Sequence, residues 1–171
     1  MVTELYPFLS NIIELEKFRY HYLDEGSGGE PLLMLHGNPT WSFYYRNLIL
    51  GLKDSYRCVV PDHMGMGFSD KPQNYPYTLS QHIDNLEKLL DYLKLDNITL
   101  VIHDWGGPIG MGFAVRHPER IKRLVIFNTA AFLSREIPLS LKLCRLPGFG
   151  PIAIRMFNAF ARTATFWACK K

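Results

Sequence analysis

The sequence predicts an α/β fold, in which a mostly parallel sheet carries helices on both of its faces. The prediction rests on four short apolar runs and on the segments of helical periodicity that lie between them. Apolar residues in these runs are continuous rather than alternating, which is typical of strands that are covered on both faces. The predicted strands are Leu32–Leu35, Cys58–Val60, Ile98–Ile102 and Leu124–Phe127. Such alternation of strands and helices requires right-handed parallel crossovers.

Two further strand candidates precede this alternating region. Ile12–Leu15 and Phe18–Leu23 are separated by only two residues, a spacing that is typical of a tight turn between antiparallel strands. The glycine-rich residues 26–29 then separate both candidates from the first parallel strand. We therefore expect an antiparallel edge that leads into the parallel sheet.

Three helices are predicted between the parallel strands. The clearest covers residues 78–94, where apolar residues recur at helical spacing and keep one face apolar. These residues are Leu79, Ile83, Leu86, Leu90 and Leu93. Thr78 and Gln81 have the spacing of a capping box at the start of this helix. The other two predicted helices are Trp41–Leu52 and Gly107–Arg116.

The composition predicts one domain that does not bind nucleic acid. Of 171 residues, 47% are hydrophobic and 13% are aromatic, enough for one core in a chain too short for two ordinary domains. The net charge is only +3 and no basic stripe is present, which argues against a nucleic-acid partner. Three cysteines without C-x-x-C spacing fit a reducing compartment. With no basic leader and no apolar run of about 18 residues, we expect a cytoplasmic protein without a transmembrane segment.

The ligand site is expected at one edge of the sheet. Ligands of an open parallel sheet bind outside the carboxyl ends of its strands. In this sequence that rule selects three loops, which are His36–Trp41, Pro61–Lys71 and His103–Gly107. The residues that carry chemistry are therefore expected in these loops.

The loop after the third predicted parallel strand resembles a nucleophile elbow, the sharp strand-to-helix turn of the G-x-S-x-G pattern. Asp104 stands at the nucleophile position and Gly106 at the small position two residues later, whereas Ile102 replaces the usual small residue two positions before. A helix N-terminus favours a charged carboxylate, which can attack carbon directly and form an alkyl ester. Water activated by a histidine must then hydrolyse the ester. The alternative is that Asp104 only caps the following helix.

Three motifs together resemble a known family. They are HGNPTWSFYYR at His36–Arg46, PDHMGMGFSDKP at Pro61–Pro72 and VIHDWGG at Val101–Gly107. Over about residues 15–132 the chain is similar to the haloalkane dehalogenase-like group of the α/β-hydrolase fold. The resemblance implies that Asp104 is the nucleophile and that the backbone N–H groups of Asn38 and Trp105 form the oxyanion hole. It also implies that their side chains, an amide and a donor-only indole, hold the leaving halide.

The resemblance leaves the substrate open. Phe127–Ala131, after the last predicted strand, lacks the catalytic glutamate of one dehalogenase subfamily. Because Asn38 and Trp105 are retained, the pattern is most similar to a third subfamily, which also contains β-lactone decarboxylases of long-chain olefin biosynthesis. The implied activity is hydrolytic cleavage of a carbon–halogen bond in a small apolar substrate, with β-lactone decarboxylation as the alternative. A second alternative is a truncated, non-catalytic relative that only binds apolar ligands or a partner.

The last part of the chain differs in composition. Residues 137–171 hold six Lys or Arg and no acid, whereas all 16 Asp and Glu lie in residues 1–136. The resemblance implies that residues 1–132 are the N-terminal part of the core and that residues 133–171 begin a helical cap. Five apolar residues can line one side of a cap helix: Ile152, Met156, Phe157, Phe160 and Phe166. A membrane-surface or partner-docking helix is the alternative, and uncovered apolar surface would favour self-association.

The family's catalytic histidine and second acid are expected beyond residue 171, so the chain by itself is expected to be inactive. A structural role is expected for each histidine present, which are His21, His36, His63, His82, His103 and His117. Gly148–Ala153 fits G-x-G-x-x-A, but it follows no strand and no acid comes about 20 residues later. Since no metal motif occurs either, neither a metal nor another cofactor is expected.

Overall fold

The computed structural model describes residues 5–131, 139–159, 161, 162 and 166. The chain divides into two compact units, Met1–Ala131 and Phe132–Lys171. The first unit contains a six-stranded sheet with the order β1-β2-β4-β3-β5-β6. Its strands are β1 (Ser10–Leu15), β2 (Phe18–Glu25), β3 (Pro31–Leu35), β4 (Arg57–Pro61), β5 (Ile98–His103) and β6 (Ile121–Phe127).

The strand pairing confirms the predicted mixture of directions. β1 pairs with β2 and β2 pairs with β4 in antiparallel fashion, while β3 pairs in parallel with both β4 and β5, and β5 pairs in parallel with β6. The sequence pattern places the start of β6 at Leu124, which is wrong, because the strand begins at Ile121. Lys122 and Arg123 hide this start, since both are charged and both pair with Glu30.

The helices of the first unit are α1 (Arg46–Leu52), α2 (Leu79–Tyr92) and α3 (Gly106–Arg116). The predicted helix over Trp41–Leu52 is wrong in its first turn, because Ser42–Tyr45 is a separate 3₁₀ turn. Short 3₁₀ segments are common at helix ends, where their tighter bonding satisfies free backbone groups. Another 3₁₀ turn, Pro118–Arg120, precedes β6.

The predicted capping box of α2 is half correct. The Thr78 side chain accepts a hydrogen bond from the Gln81 N–H at 3.2 Å, as an N-cap should. The reciprocal bond is replaced, because the Gln81 side chain donates to Asn85 Oδ1 at 3.2 Å. The Thr78 N–H instead donates to the Pro76 carbonyl.

Helices cover both faces of the sheet. Alternate residues of one strand point to opposite faces, and β3 shows the division. Leu33 and Leu35 belong to the cluster that contains Leu86 and Leu90 of α2 and Phe113 of α3. Leu32 and Met34 belong to a second cluster, which contains Ile49 of α1. This arrangement confirms the predicted α/β layers.

Strand β6 differs from the other parallel strands in its exposure. The prediction that all four apolar runs are covered on both faces is wrong here, since the exposed fractions of Leu124 and Ile126 are 42% and 58%. Val125 and Phe127, on the opposite face, are exposed by 37% and 45%. Within the described residues β6 pairs only with β5, so it forms an edge of the sheet.

The second unit contains α4 (Leu139–Cys144) and α5 (Phe149–Phe157). Gly148 begins α5 with a φ of 78°, a backbone conformation that glycine adopts without strain. The apolar residues expected to line one helix side are largely exposed, with values of 53% for Ile152, 74% for Met156 and 60% for Phe157. Phe160 lies outside the described residues.

Across the parts of the chain that the structure describes, the helices are all too short or too polar to cross a lipid bilayer.

A pair of leucines on α2 tests the core. Leu86 is fully buried, whereas Leu79 on the same helix is 38% exposed. Leu86→Ala should lower the free energy of unfolding by about 2–5 kcal/mol, because it removes buried methyl groups and leaves a cavity. Leu79→Ala should change it by less than about 1 kcal/mol. Urea unfolding followed by circular dichroism measures both, and equal losses would contradict the packing of α2 on the sheet.

Candidate active site

The turn between β5 and α3 has the geometry of a nucleophile elbow. Asp104 adopts a φ of 47°, in the left-handed region that few residues other than glycine, Asn and Asp enter readily. Two glycines allow this turn to pack tightly. A Cβ on Gly106 would clash with the Leu35 carbonyl oxygen, and a Cβ on Gly37 would clash with the Asp104 side chain. The small residue two positions after Asp104 is therefore a steric requirement.

Two hydrogen bonds hold the elbow by its backbone. The Asp104 carbonyl accepts from the Gly107 N–H at 3.0 Å and from the Thr129 hydroxyl at 2.6 Å. A Cβ on Gly107 would clash with Thr129 Oγ1, so glycine at this position allows the hydroxyl to approach. Thr129 was not predicted as a site residue from the sequence. Its signal was its position just after β6, because the carboxyl ends of neighbouring parallel strands meet at one edge of the sheet.

The structure brings two of the expected site residues into direct contact. The backbone N–H of Asn38 donates to Asp104 Oδ1 at 2.7 Å, and the Asp104 side chain is otherwise exposed. Trp105 follows directly and is 36% exposed. Within the described residues no hydrogen bond joins the Trp105 N–H to the carboxylate. The structure therefore joins one of the two expected oxyanion donors to Asp104.

The loop that carries Asn38 is held by local hydrogen bonds. The Gly37 carbonyl accepts from the Thr40 N–H at 3.0 Å and from the Thr40 hydroxyl at 2.8 Å. The imidazole of His36 bonds to the same carbonyl through Nδ1 at 2.9 Å, and its Nε2 accepts from the His63 N–H at 3.1 Å. These bonds fix the direction of the Asn38 N–H.

A buried carboxylate organises the loop that follows β4. Asp62 Oδ1 accepts from the Ser42 N–H at 2.7 Å, Oδ2 accepts from the Phe68 N–H at 2.9 Å, and His21 Nδ1 lies 2.9 Å from Oδ2. Burial by itself would raise the pKa of Asp62, but these hydrogen bonds and His21 outweigh it and lower the pKa overall. The charged Asp62 carboxylate therefore links the loop after β4 to the 3₁₀ turn that begins at Ser42.

Three buried histidines, His36, His63 and His82, form a chain of ring contacts. The rings of His36 and His63 are 4.4 Å apart between centroids, and those of His63 and His82 are 5.8 Å apart. Burial is the main cause that lowers the pKa of all three, so they are neutral near pH 7. His103, beside the nucleophile, stacks on Tyr44 with centroids 4.5 Å apart.

No histidine among the described residues hydrogen-bonds the Asp104 carboxylate. The two that contact a carboxylate do so elsewhere, since His21 lies beside Asp62 and His117 lies beside Glu87. Over the described ranges no group of three His, Cys, Asp or Glu side chains is placed to hold a metal ion. The chemistry available here is that of a carboxylate with a backbone donor.

A cavity of about 270 Å³ opens beside Asn38 and Trp105. Its lining comprises these two residues, residues 64–66 from the loop after β4, and Tyr77 and His82 at the start of α2. We call it the methionine pocket, because Met64 and Met66 are in its wall. Asn38 and Trp105 thus share one cavity next to the elbow, although they come from different loops.

Comparison with known proteins identifies the fold family. The family model described as alpha/beta hydrolase fold matches residues 30–144. The chain belongs to the α/β-hydrolase fold family. The solved structure of the haloalkane dehalogenase DatA from Agrobacterium tumefaciens matches this α/β-hydrolase chain with a TM-score of 0.82 and 30% sequence identity. The match covers 93% of this chain and 56% of the dehalogenase.

Curated relatives of this α/β hydrolase carry two different names. A cis-3-alkyl-4-alkyloxetan-2-one decarboxylase from Shewanella oneidensis is 52% identical, and the match covers 100% of this chain and 55% of the relative. Haloalkane dehalogenase 2 from Mycobacterium bovis is 44% identical over 74% of this chain and 44% of the relative. The chain thus spans about half the length of these relatives, and its sequence is dehalogenase-like.

The buried Asp62 predicts a pH-dependent loss of stability. Its pKa is lower in the folded protein than in the unfolded chain, so its contribution is complete above the ordinary value of about 3.9 and is lost as the pH falls further. Asp62→Asn should cost about 1–3 kcal/mol at pH 7, because the Asn amide cannot accept both of the hydrogen bonds that the buried Ser42 and Phe68 N–H groups donate to Asp62. Urea unfolding should show this difference from the wild type shrinking between about pH 4 and pH 2.

The matched control for that measurement is Asp96→Asn, because the Asp96 side chain is 75% exposed beside Arg120. An exposed pair contributes at most about 1 kcal/mol. A wild-type advantage over Asp62→Asn that stayed constant down to pH 2 would contradict the assigned role of the Asp62 charge.

We predict that removing the Thr129 hydroxyl also lowers the stability of the protein. Thr129→Val keeps the shape but removes the hydroxyl that donates to the Asp104 carbonyl, and it should cost about 0.5–1.5 kcal/mol. Thr129→Ser keeps the donor and should recover most of the loss. Urea unfolding of both variants checks this, and a Ser variant as unstable as the Val variant would show that the hydroxyl does not support the elbow.

Proposed function

We propose that Asp104 is the nucleophile of a displacement at an sp³ carbon, which forms an alkyl-enzyme ester. The observation that carries the proposal is the left-handed Asp104 at the strand-to-helix turn, with its Oδ1 held at 2.7 Å by the Asn38 N–H. This bond leaves Oδ2 to attack carbon. The dehalogenase-like sequence supports a carbon–halogen bond as the one that breaks.

In the first step Oδ2 of Asp104 bonds to the carbon while the halide leaves with the bonding electron pair. Asn38 and Trp105 line one cavity, and we assign to the Asn38 amide and the Trp105 indole N–H the stabilisation of the leaving anion. Both groups are uncharged hydrogen-bond donors.

In the second step water attacks the ester carbon of Asp104, and negative charge develops on Oδ1. The Asn38 N–H already donates to Oδ1, so this bond strengthens as the charge develops. Water needs a general base, and we assign that role to a histidine outside these 171 residues. By itself the chain should therefore form the ester and not release it.

A second candidate is decarboxylation of a β-lactone. The observation that favours it is the 52% identity to the named oxetanone decarboxylase, against 44% to the dehalogenase. Asp104 would attack the sp³ ring carbon that is bonded to the ring oxygen. The bond between that carbon and the ring oxygen would break, which leaves a carboxylate on the neighbouring carbon. Breaking the bond to that carboxylate then yields carbon dioxide and an alkene, and Asp104 leaves as a free carboxylate. No water is consumed on this route.

The proposed setting is the cytoplasm, with a small apolar substrate. Cys58 and Cys144 are free thiols, which fits a reducing compartment. We also propose that residues 133–171 begin a helical cap and that exposed apolar surface, such as that of β6, favours self-association. Each of these can be tested apart from the chemistry of Asp104.

Covalent labelling of the chain tests the nucleophile. Incubation with 1-bromohexane should add the mass of one hexyl group, and peptide mapping should place it on Asp104. Asp104→Asn should abolish the mass gain, whereas Asp96→Asn, which removes a 75% exposed carboxylate, should retain it. Intact-protein mass spectrometry is the measurement.

The same protein is treated with a cis-3,4-dialkyl β-lactone, and the alkene is measured by gas chromatography. Alkene formation that depends on Asp104 would favour the decarboxylase. If neither reagent reacts at Asp104, the nucleophile assignment is wrong, and the non-catalytic ligand-binding alternative takes its place.

A further inference from the structure

Ser10, His21 and Asp62 form a line of side-chain contacts that the proposed displacement at Asp104 does not use. His21 Nε2 lies 3.0 Å from the Ser10 hydroxyl oxygen, and His21 Nδ1 lies 2.9 Å from Asp62 Oδ2. A hydroxyl, an imidazole and a carboxylate in this order are the groups of a Ser–His–Asp triad, which is recognised by geometry and not by position in the chain. The line therefore has the geometry that activates a serine.

The order of the strands explains why these side chains meet. β1, β2 and β4 are neighbours in the sheet, Ser10 begins β1, His21 lies in β2 and Asp62 directly follows β4. In the register of β1 and β2, His21 is opposite Ile12, so their side chains share a face. Ser10, two residues from Ile12, points to the same face. On the other side of β2, the Asp62 N–H donates to the His21 carbonyl at 2.9 Å. Strand pairing thus fixes the line of contacts.

The Asp62 carboxylate determines the tautomer of His21. A carboxylate oxygen attracts an N–H group and repels a nitrogen lone pair, so the proton lies on Nδ1, which is the nitrogen beside Asp62. Nε2 then has the lone pair and accepts a hydrogen bond from the Ser10 hydroxyl. The Ser42 and Phe68 N–H groups donate to the Asp62 carboxylate and hold it in this position. In this arrangement an imidazole can remove the proton of a serine.

One end of the line is open to solvent and the other end is buried. Ser10 is exposed, whereas the exposed fractions of His21 and Asp62 are 1% and 0%. The Phe68 ring lies against the His21 imidazole with centroids 5.2 Å apart, and both Phe68 and Ile12 are partly exposed. A reagent can therefore reach the Ser10 hydroxyl from solvent, and the surface beside it favours an apolar group.

This site is separate from the nucleophile elbow. Three strands, β2, β4 and β3, lie between β1 and β5 in the sheet. At the usual spacing of strands, β1 and β5 are roughly 19 Å apart. Ser10 and Asp104 can therefore react independently, and a test of one does not depend on the other.

We propose that Ser10 is a second nucleophile, which takes an acyl group from an ester that has a good leaving group and an apolar acyl chain. Ser10 Oγ bonds to the carbonyl carbon while its proton moves to His21 Nε2, and Asp62 stabilises the imidazolium that forms. The bond from that carbon to the leaving oxygen then breaks with its electron pair, and His21 gives the proton to this oxygen. The product is an acyl ester of Ser10. The acceleration expected over an ordinary serine is that of a general base, about 10²–10⁴-fold.

The first experiment compares two serines in the unmodified chain of 171 residues. Ser80 is the matched control, because it is exposed on α2 and no histidine among the described residues bonds to its hydroxyl. The protein is treated with p-nitrophenyl butanoate, and peptide mapping by mass spectrometry measures the rate of butanoyl transfer to each serine. Ser10 should react at least about 100-fold faster than Ser80. Equal rates at the two serines would overturn the proposal.

His21→Gln tests the general base. The substitution removes the imidazole and keeps a polar side chain, so Ser10 should react at least about 100-fold more slowly than in the wild type. Circular dichroism shows whether the variant is folded. A folded His21→Gln protein in which Ser10 reacts at the wild-type rate would show that His21 does not activate it.

A second pair of variants leaves His21 and Asp62 in place, so it does not depend on tolerance of changes in the core. Ser10→Cys and Ser80→Cys each introduce a thiol at an exposed position. Iodoacetamide should alkylate the thiol of Ser10→Cys at least about tenfold faster than that of Ser80→Cys, because a paired imidazole lowers the pKa of a thiol. Peptide mapping separates these thiols from the natural cysteines. If the two introduced thiols react at the same rate, the imidazole does not activate this position and the proposal fails.

Discussion

The turn of the backbone at Asp104 is the constraint on which the site depends. A buried strand must end, reverse direction and start a helix within three residues, and the left-handed φ of 47° at Asp104 accomplishes this. The turn packs against the neighbouring loop so closely that Gly37 and Gly106 cannot carry a Cβ. Because the two loops touch here, the Asn38 N–H reaches the Asp104 carboxylate. The same steric contact shapes the elbow and supplies its hydrogen-bond donor.

A second constraint holds the loops around the elbow in place. Asp62 is fully buried, and a buried carboxylate is stable only when its oxygens accept hydrogen bonds. The backbone N–H groups of Ser42 and Phe68 satisfy this need, as His21 does from β2. Satisfying one charge thus joins three separate parts of the chain. The methionine pocket lies between the elbow and this loop, so its shape depends on both constraints.

Local patterns predicted α2 and the central strands well, because buried residues at regular spacing leave a clear signal in the sequence. Thr78 marked the start of α2, and its side chain does accept from Gln81. Elements whose limits depend on distant partners were predicted poorly. The start of β6 was missed because Lys122 and Arg123 are charged, and only the pairing of this segment with β5 makes it a strand.

The sequence by itself determined the α/β layers and the elbow motif, and it singled out Asp104, Asn38 and Trp105. Periodicity is enough for the layers and the strand-to-helix turn, whereas Asn38 and Trp105 were singled out by the resemblance of three motifs to the haloalkane dehalogenase-like group. Only the tertiary structure decided that Asn38 donates to Asp104, that Thr129 supports the elbow from β6, and that Met66 and His82 share a pocket with Trp105. These contacts join residues far apart in the chain, and their distances follow from the packing of strands and helices.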